Sequence, residues 1–385
     1  MDFLAETRAL LAELIAFPTV SSDSNLAMIH HLAQRFEDLG ASVEIWHDET
    51  GTKANLFATL GPMQDGGIVL SGHSDVVPVA DQDWSSDPFE LTQREETWVG
   101  RGTCDMKGFI AAATVMAQHY ATLELNRPVH FAFTYDEEVG CFGGQALARS
   151  LKTKGLTPAV AIVGEPTSMQ IIEGHKGCYE YSTHFTGLEG HGSTPDHGVN
   201  AVEYAVRYVS KLLEIKSDLI ARAPKDSRFE PPWTTINTGS LIGGTAHNVI
   251  PGKAQVDWEM RPVQKSDADY TKQTLQRFCE EDLLPAMRAI HPEAHIHTEV
   301  IGEVDGLVPM EDNAARDLVM ELTGANGADL VPFGTEAGIF QDLGMSVVVC
   351  GPGSIAQAHK PDEFIAIDQV ELCLKMLHDL SRKLI

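Results

Sequence analysis

Apolar residues in the outer parts of the chain follow two patterns in turn, helical spacing and short continuous runs. Near the N-terminus, the positions with helical spacing are Leu4, Leu11, Leu14 and Ile15. Such spacing, with Pro18 and Gly40 as stop signals, predicts helices over residues 3–16, 25–39, 107–122, 143–151, 312–323 and 368–383. Apolar runs predict buried strands over residues 68–70, 129–135, 160–163 and 347–350. This alternation favours an α/β sheet that is covered on both faces.

The middle of the chain has a different order of elements, which reads strand, helix, strand, strand, helix, strand. The predicted ranges are 179–186, 199–215, 234–242, 253–261, 267–289 and 295–301. This βαββαβ order is typical of a separate open-faced sandwich. We therefore predict one α/β domain, formed by residues 1–176 and 302–385, that carries an inserted βαββαβ (ferredoxin-like) lid at 177–301.

The chain is strongly acidic, with 55 Asp and Glu residues against 28 Lys and Arg residues and a formal charge of -27. Such a surface repels phosphate backbones and anionic lipid headgroups, so we expect neither nucleic acid nor a membrane as a partner. The charge is consistent with a solvated surface that keeps a cytoplasmic enzyme soluble. Its field would also attract a cationic substrate.

Six cysteines are scattered along the sequence without a CxxC pair. This distribution argues against a disulfide framework and against a thiolate zinc site, and it favours a reducing compartment. The N-terminal residues MDFLAE are acidic where a signal peptide needs basic residues, and no apolar run is long enough to cross a bilayer. We therefore expect a cytoplasmic protein.

Acidic and histidine side chains follow four of the predicted strands. They are His73 and Asp75 in SGHSDVVP, Glu137 and Glu138 in DEEVG, Glu165 in GEP, and His359 after GPGSIAQA. Asp105 precedes the helix that opens near residue 107. Ligands of open α/β sheets bind outside the carboxyl ends of strands, so we expect these side chains to share one rim. Any one of them alone would more often be a solvated loop residue or a helix cap, but together they predict a metal site.

The ligand types in this set indicate which metals could bind. Imidazole and carboxylate ligands without thiolate suit Zn²⁺, Co²⁺ or Mn²⁺. A pair of such ions about 3.5–4 Å apart needs a bridging carboxylate, and two histidines with three carboxylates supply enough ligands. Asp75, two residues after His73, could accept the second ring N–H of that histidine. Glu137, adjacent to the candidate ligand Glu138 but itself free, has the position of a general base.

Six segments carry a resemblance to a known family. In chain order they are SGHSDVVP at 71–78, GRGTCDMKG at 100–108, DEEVG at 136–140, GEPT at 164–167, HGSTP at 191–195 and AHKPDEF at 358–364. Together they closely resemble the motifs of the M20 metallopeptidase family, which includes deacylases of N-acyl amino acids, aminoacylases and carboxypeptidases. The resemblance implies a mixed-sheet, zinc-peptidase-like catalytic domain with an inserted lid that also serves for dimerisation.

The same resemblance implies a role for each candidate residue. One zinc ion would be held by His73, Asp105 and Glu165, and the second by Asp105, Glu138 and His359, with Asp105 as the bridge. Glu137 would be the catalytic base and acid, and Asp75 would support His73. The peptide bond that follows the bridging aspartate is often cis in this family, so we expect a cis bond between Asp105 and Met106.

His191, in the HGSTP segment, has a separate implied role. In related dimers this histidine reaches from the lid of one subunit into the active site of the partner and binds the oxyanion. From the spacing alone, a histidine followed by Gly-Ser-Thr-Pro would only shape a turn. The resemblance therefore predicts a homodimer in which His191 acts in trans.

Two C-terminal segments bear on the substrate. FGTEAGIFQ at 333–341 and GPGSIAQAHKPDEF at 351–364 most resemble the acetylornithine deacetylases of the family, which implies hydrolysis of N²-acetyl-L-ornithine to ornithine and acetate. By analogy, substrate contacts would come from Asn248, Arg261, Gly334 and Thr335. Glu336 is a candidate partner for the cationic side-chain amine of ornithine, although it could equally cap a helix near 336–341.

Two other functions stay open at this point. The same chemistry could act on another N-acyl amino acid, on an N-acyl diamino acid or on a dipeptide. A module of a different class would bind metal without catalysis. Glu137 argues against that second possibility, because a binding protein needs the ligands but not a free base.

Overall fold

The computed structural model describes residues 2–385, which form two compact units. The first unit contains the described residues up to Gly174 together with Pro309–Leu330 and Thr335–Ile385. The second unit contains His175–Val308 and Val331–Gly334. The chain therefore leaves the first unit once for a long excursion and once more for four residues.

Ten α-helices are present in the described chain. In order they are α1 Phe3–Ile15, α2 Leu26–Asp38, α3 Lys107–Tyr120, α4 Phe142–Lys154, α5 Ala201–Ala221, α6 Lys265–Phe278, α7 Leu284–Arg288, α8 Ala314–Thr323, α9 Ala337–Asp342 and α10 Ile367–Leu380. Several begin at a side-chain cap: Asn200 Oδ1 accepts the N–H of Val202, and Asn313 Oδ1 accepts the N–H of Ala315. Between residues 2 and 385, no helix combines the length and the apolar character that a membrane span requires.

Seventeen β-strands accompany these helices in residues 2–385. They are β1 Ser42–His47, β2 Ala54–Leu60, β3 Ile68–His73, β4 Thr92–Arg94, β5 Thr97–Val99, β6 Val129–Thr134, β7 Val160–Pro166, β8 Ile172–His175, β9 Cys178–Thr186, β10 Gly190–His191, β11 Thr235–Gly243, β12 Val249–Ile250, β13 Lys253–Arg261, β14 His295–Val304, β15 Asp329–Val331, β16 Ser346–Gly351 and β17 Phe364–Ala366. The strands and helices predicted from the apolar pattern are all present, with ends that differ by a few residues.

The first unit is built on an eight-stranded mixed sheet with the order β1-β2-β6-β3-β7-β16-β8-β15. Its centre is parallel, because β3 pairs in parallel with β6 and β7, and β7 pairs in parallel with β16. Every residue of β2, β3, β6 and β7 is buried, as expected for strands that are covered on both faces. Helices α1 and α10 pack on α3, and the sheet and these helices share one core. The predicted α/β sheet with a mixed strand order is confirmed.

The second unit contains a four-stranded antiparallel sheet with the order β11-β13-β9-β14. Burial alternates along β9 and β13, so that Tyr181, Phe185 and Trp258 face the core beneath α5 and α6. The predicted βαββαβ order is confirmed. The helix predicted over 267–289 is interrupted by a π-helical segment at Cys279–Leu283 ahead of α7, where Pro285 cannot donate a backbone hydrogen bond.

Candidate functional site

The carboxyl ends of the central strands bring the candidate metal ligands together. His73 ends β3, Glu165 lies near the end of β7, Glu138 follows β6 and His359 follows β16, while Asp105 lies just before α3. The side chains of His73, Asp105, Glu165 and Glu138 are between 1% and 9% exposed, whereas that of His359 is 51% exposed. The donor atoms of His73, Asp105 and Glu138 all lie within 4.8 Å of one another. Four buried candidate ligands, one imidazole and three carboxylates, and one accessible histidine thus meet at one edge of the sheet.

Asp105 lies between the two histidines. Its Oδ1 atom is 2.9 Å from Nε2 of His73, and its Oδ2 atom is 3.3 Å from Nε2 of His359. Glu138 lies 3.1 Å from Nε2 of His359, and Glu165 lies 3.7 Å from Nε2 of His73. The five side chains therefore divide into two half-sets that share one carboxylate. The peptide bond after Asp105 is cis, as predicted.

Backbone contacts fix which ring nitrogen of His73 faces this carboxylate cluster. Nδ1 lies 2.9 Å from the carbonyl oxygen of Asp75. Because a carbonyl only accepts, Nδ1 must carry a proton, which leaves Nε2 to face Asp105 and Glu165. A bare nitrogen lone pair at 2.9 Å from a carboxylate oxygen would be repelled, so this contact needs either a second proton or a cation. The orientation is the one required of a metal-ligating histidine.

The electrostatics of the cluster point to the same need for positive charge. Burial and the charge of Asp105 raise the pKa values of Glu138 and Glu165 above the ordinary value of a glutamate. Burial opposes protonation of His73, but Glu165 and Asp105 raise its pKa well above the usual value. Crowded buried carboxylates resist a common negative charge unless a cation lies among them. The donor set of imidazole and carboxylate groups therefore fits a divalent metal centre.

Asp75 lies beside His73, as expected, and has further partners. Its carboxylate Oδ1 is 3.6 Å from Nδ1 of His73, farther than the carbonyl of the same residue. The carboxylate accepts hydrogen bonds from Ser21 Oγ at 2.7 Å, from the N–H of Glu137 at 3.1 Å and from the N–H of Glu138 at 3.4 Å. Asp75 thus orients His73 through its backbone and holds the Glu137–Glu138 turn through its side chain.

Glu137 lies against the same cluster. Its carboxylate, a nitrogen of His73 and a carboxylate oxygen of Glu165 all lie within 4.8 Å of one another, and the thiol of Cys141 lies 3.7 Å from its Oε1 atom. Burial, with the charge of Glu138 as a further cause, raises the pKa of Glu137 well above its usual value. The carboxylate is therefore placed where it could exchange a proton with a molecule bound at the centre.

A fixed loop holds Asp105, and the residues that fix it were missed in the sequence. Glu363 is fully buried and accepts backbone N–H bonds from Gly102 at 3.1 Å, from Cys104 at 2.9 Å and from Asp105 at 3.0 Å. It also forms a buried ion pair with Arg101 at 2.7 Å. Glu363 lies in the AHKPDEF segment, so the motif contained the signal, but nothing in the sequence pairs it with a loop some 260 residues earlier.

Two further predicted residues, Thr335 and Glu336, lie in the first unit and are buried. Thr335 Oγ1 accepts the N–H of Ala337 at 3.0 Å and so caps α9. Glu336 does not cap that helix, since its Oε2 atom accepts a hydrogen bond from Thr134 Oγ1 at 2.8 Å. Both side chains are 1% exposed, and their substrate contacts stay predictions.

His191 and Asn248 meet in the second unit, on a short two-stranded sheet. His191, on β10, lies opposite Val249 of β12, and the N–H of Gly192 donates to the carbonyl of Asn248 at 2.7 Å. The imidazole of His191 is exposed, and its Nδ1 accepts the backbone N–H of Ser193 at 3.2 Å. Nδ1 also lies 2.8 Å from Oγ of Ser193, so both ring contacts within the turn use Nδ1, and Nε2 is the nitrogen left for an outside partner.

The remaining predicted substrate residues also belong to the second unit. Arg261, on β13, is half-buried and forms an ion pair with Glu259 at 2.8 Å. Gly334 lies in the short segment that returns to this unit, beside Cys178 of β9. Neither residue belongs to the turn that holds His191 and Asn248, so the structure gathers only part of the predicted substrate set within this unit.

Comparison with known proteins identifies the family. The model of peptidase family M20/M25/M40 matches residues 69–383. Acetylornithine deacetylase of Proteus mirabilis is 36% identical over 379 residues, covering 96% of this chain and 95% of the relative, and that of Aliivibrio salmonicida is 33% identical over 386 residues and 99% of both chains. The crystal structure of an M20 family metallo-carboxypeptidase from Sulfolobus solfataricus superposes with a TM-score of 0.76 at 18% identity, covering 99% of each chain. The chain therefore belongs to peptidase family M20/M25/M40 and is a metal-dependent amide hydrolase.

Proposed function

We propose that this enzyme removes the acyl group from a small N-acyl amino acid, and that the substrate is N²-acetyl-L-ornithine, hydrolysed to L-ornithine and acetate. The observation that carries the chemistry is the position of Asp105, with one carboxylate oxygen toward each of His73 and His359. The choice of substrate rests on relatives of 33% and 36% identity that are named acetylornithine deacetylases. The reaction would place the enzyme in arginine biosynthesis, with a cytoplasmic location.

The two half-sets of ligands suit two divalent ions. His73, Asp105 and Glu165 would hold one ion, and Asp105, Glu138 and His359 would hold the other. Because no thiolate takes part, Zn²⁺ is the expected metal, with Co²⁺ or Mn²⁺ as substitutes. When bound, the ions supply Lewis-acid polarisation of the amide carbonyl and lower the pKa of a water molecule.

Glu137 is the residue to which we assign proton transfer. It is held against the centre by the hydrogen bond from its own N–H to the carboxylate of Asp75. It accepts a proton from the attacking water and then returns that proton to the nitrogen of the leaving amine. The second step matters because an amine leaves readily only once it has been protonated.

We assign to His191 the stabilisation of the oxyanion that develops in the transition state. Its Nε2–H is free to donate because Nδ1 accepts the backbone N–H of Ser193. A donor aimed at charge that develops in the transition state increases kcat more than it improves substrate binding. We infer that the site it serves belongs to the partner subunit of a homodimer, and that Asn248, beside it, contributes to the same contact.

An unpaired apolar surface on the second unit supports such a homodimer. Along α5 the exposed residues Val206, Leu213 and Ile220 recur every seven residues and form a stripe on one face of the helix. Leu241 and Ile242 are also exposed, on the edge strand β11, which packs against α5. A second copy would cover the stripe and pair with the open edge in one twofold interface.

A substrate panel tests the proposed reaction. The protein is stripped of metal, reloaded with Zn²⁺, Co²⁺ or Mn²⁺, and assayed with N²-acetyl-L-ornithine, N-acetyl-L-norvaline and a dipeptide. Acetylornithine should give the highest kcat/KM, because norvaline has a side chain of similar length without the amine. Equal values for the two acetylated amino acids would indicate a general aminoacylase. Stoichiometric metal binding without turnover of any substrate would indicate a non-catalytic metal-binding module.

A further inference from the structure

Glu336 is a buried carboxylate that forms no ion pair within residues 2–385. Its side chain is 1% exposed, and burial raises its pKa to about 7. An unpaired carboxylate in a protein interior costs several kcal/mol unless hydrogen bonds compensate for the lost water. The contacts of Glu336 are therefore expected to show a role that offsets this cost.

The two oxygen atoms of Glu336 contact the two ends of one loop. Oε2 accepts a hydrogen bond from Oγ1 of Thr134, the last residue of β6. Oε1 lies against Gly144, so close that a Cβ atom at that glycine would be 2.5 Å away, and it makes no hydrogen bond of good geometry within residues 2–385. Residues 135–141 lie between these two points.

Gly144 belongs to the first turn of α4, where a carboxylate has a specific value. The residue before this helix, Cys141, makes no side-chain hydrogen bond to the exposed N–H groups of the first turn. A carboxylate at this end compensates for the missing cap and interacts favourably with the helix dipole. Glu336 therefore brings a carboxylate to this helix end from a different element of the fold, by packing against Gly144 and not through a capping hydrogen bond.

We propose that Glu336 is a positioning residue that clamps both ends of loop 135–141 and thereby fixes Glu137 and Glu138. The inference rests on the proposed function, in which Glu137 transfers the proton and Glu138 holds a metal ion. Asp75 holds the same loop at its centre, through the N–H groups of these two residues. The loop is thus held at three points by two carboxylates.

Kinetics of isosteric variants test the clamp. Glu336→Gln retains the volume of the side chain and removes its charge, whereas Thr134→Val removes only the hydroxyl donor. We expect Glu336→Gln to lower kcat about 10- to 100-fold while KM changes little, because displacement of a reacting group by about 1 Å has effects of this size. The double variant should be no worse than Glu336→Gln alone, since Glu336→Gln weakens and Thr134→Val removes the same hydrogen bond.

Glu173→Gln provides the matched control. Glu173 is a buried carboxylate of the first unit, 4% exposed, and forms an ion pair with Arg316 at 2.9 Å. Its replacement should lower the melting temperature without changing kcat, which separates a general loss of stability from a loss of positioning. If the folded Glu336→Gln enzyme retains the kcat of an active wild type, the clamp is refuted.

Metal titration distinguishes failure of the clamp from failure of the proposed function. By calorimetry with Zn²⁺, Glu336→Ala should bind one of two ions about 10- to 100-fold more weakly, because Glu138 is no longer held. Thr134→Val provides the same readout if the alanine variant does not fold. A wild type that binds Zn²⁺ but hydrolyses no N-acyl amino acid would refute the proposed function. In that case the clamp is still judged by the titration, and unchanged affinity in the variants would refute it.

Discussion

The two units hold their candidate residues in opposite ways. In the first unit, His73 and Asp105 are less than 10% exposed, and each is fixed by contacts from several strands and loops. In the second unit, His191 is exposed on a strand of two residues, and the hydrogen bonds of its ring go to Ser193 of its own turn. The contrast is consistent with different roles for the two units. Metal binding and proton transfer need groups fixed in advance, whereas His191 presents a donor on an accessible surface.

The largest effect is expected when the base is removed without removing a metal ligand. Glu137→Ala should lower kcat about 10²- to 10⁴-fold, because proton transfer commonly contributes that much, while the protein retains its metal. Glu138→Ala should instead weaken the binding of one ion. The measurement is kcat together with metal content by atomic emission, on the same preparations.

The outcome could also reverse the assignment. The Glu137 carboxylate lies within ligand distance of His73 and Glu165, so Glu137 is itself a conceivable ligand. Loss of metal in Glu137→Ala, with metal retained in Glu138→Ala, would exchange the two roles. Glu321→Ala, at an exposed position on α8, serves as a control that should change neither quantity.

The regular elements could be read from the sequence because their apolar positions repeat. Helix α5 buries residues at helical intervals, and strands β3 and β6 are buried apolar runs, so both patterns can be recognised without any knowledge of the fold. The three-residue strands β4, β5 and β17 are too short to show a period, and β17 pairs with β5 from a distant part of the chain. They could not have been predicted in this way.

The candidate site likewise contains residues that could be predicted from the sequence and residues that could not. Ligand types at strand ends could be recognised because topology alone places the carboxyl ends of parallel strands together. The groups that hold those ligands could not, since the partners Arg101 and Glu363 are 262 positions apart. The contact of the Asp75 carbonyl with His73 could not be predicted because it depends on local backbone geometry, and the contact of its carboxylate with Glu137 could not because the two residues are 62 positions apart.

The second prediction concerns His191, which is exposed on the second unit. His191→Ala should lower kcat about 10²- to 10³-fold, the usual loss for a missing oxyanion donor. If the histidine acts in trans, mixing His191→Ala with Glu137→Ala chains and refolding them creates one complete site in each mixed dimer. Random pairing makes about half of the dimers mixed, so about a quarter of the wild-type activity should return.

Subunit exchange must be demonstrated for this result to count. Differently tagged chains that purify together after refolding provide that control, and refolded wild type sets the upper limit of activity. No recovery despite proven exchange would show that each His191 serves its own chain or none. The first unit would then need another source of the oxyanion donor.

The third prediction concerns the buried ion pair between Arg101 and Glu363 in the first unit. Glu363→Gln leaves Arg101 buried without its counter-charge, which should cost about 3–5 kcal/mol in the free energy of unfolding. The same change loosens the loop that carries Asp105, so metal affinity should fall as well. Glu321→Gln, which breaks an exposed pair with Lys383, should leave the melting temperature nearly unchanged. Equal melting temperatures for the two variants would mean that the Arg101–Glu363 pair does not fix the first unit.

The smallest expected effect comes from the surface that we assign to dimerisation. Leu213→Asp places a charge in the centre of the α5 stripe, where a partner helix would have to desolvate it. The variant should sediment as a monomer at micromolar concentration, with its melting temperature little changed because Leu213 is 56% exposed.

Activity should follow the oligomeric state if His191 acts in trans. The specific activity of Leu213→Asp should be low in dilute solution and should rise with protein concentration, as mass action restores the dimer. Leu372→Asp is the matched control, because Leu372 is 48% exposed on α10 of the first unit and lies outside the stripe. It should change neither sedimentation nor activity. A monomeric Leu213→Asp enzyme with full activity at every concentration would leave the surface as the interface but would exclude any part for it in catalysis, and His191 would then have to act within its own chain.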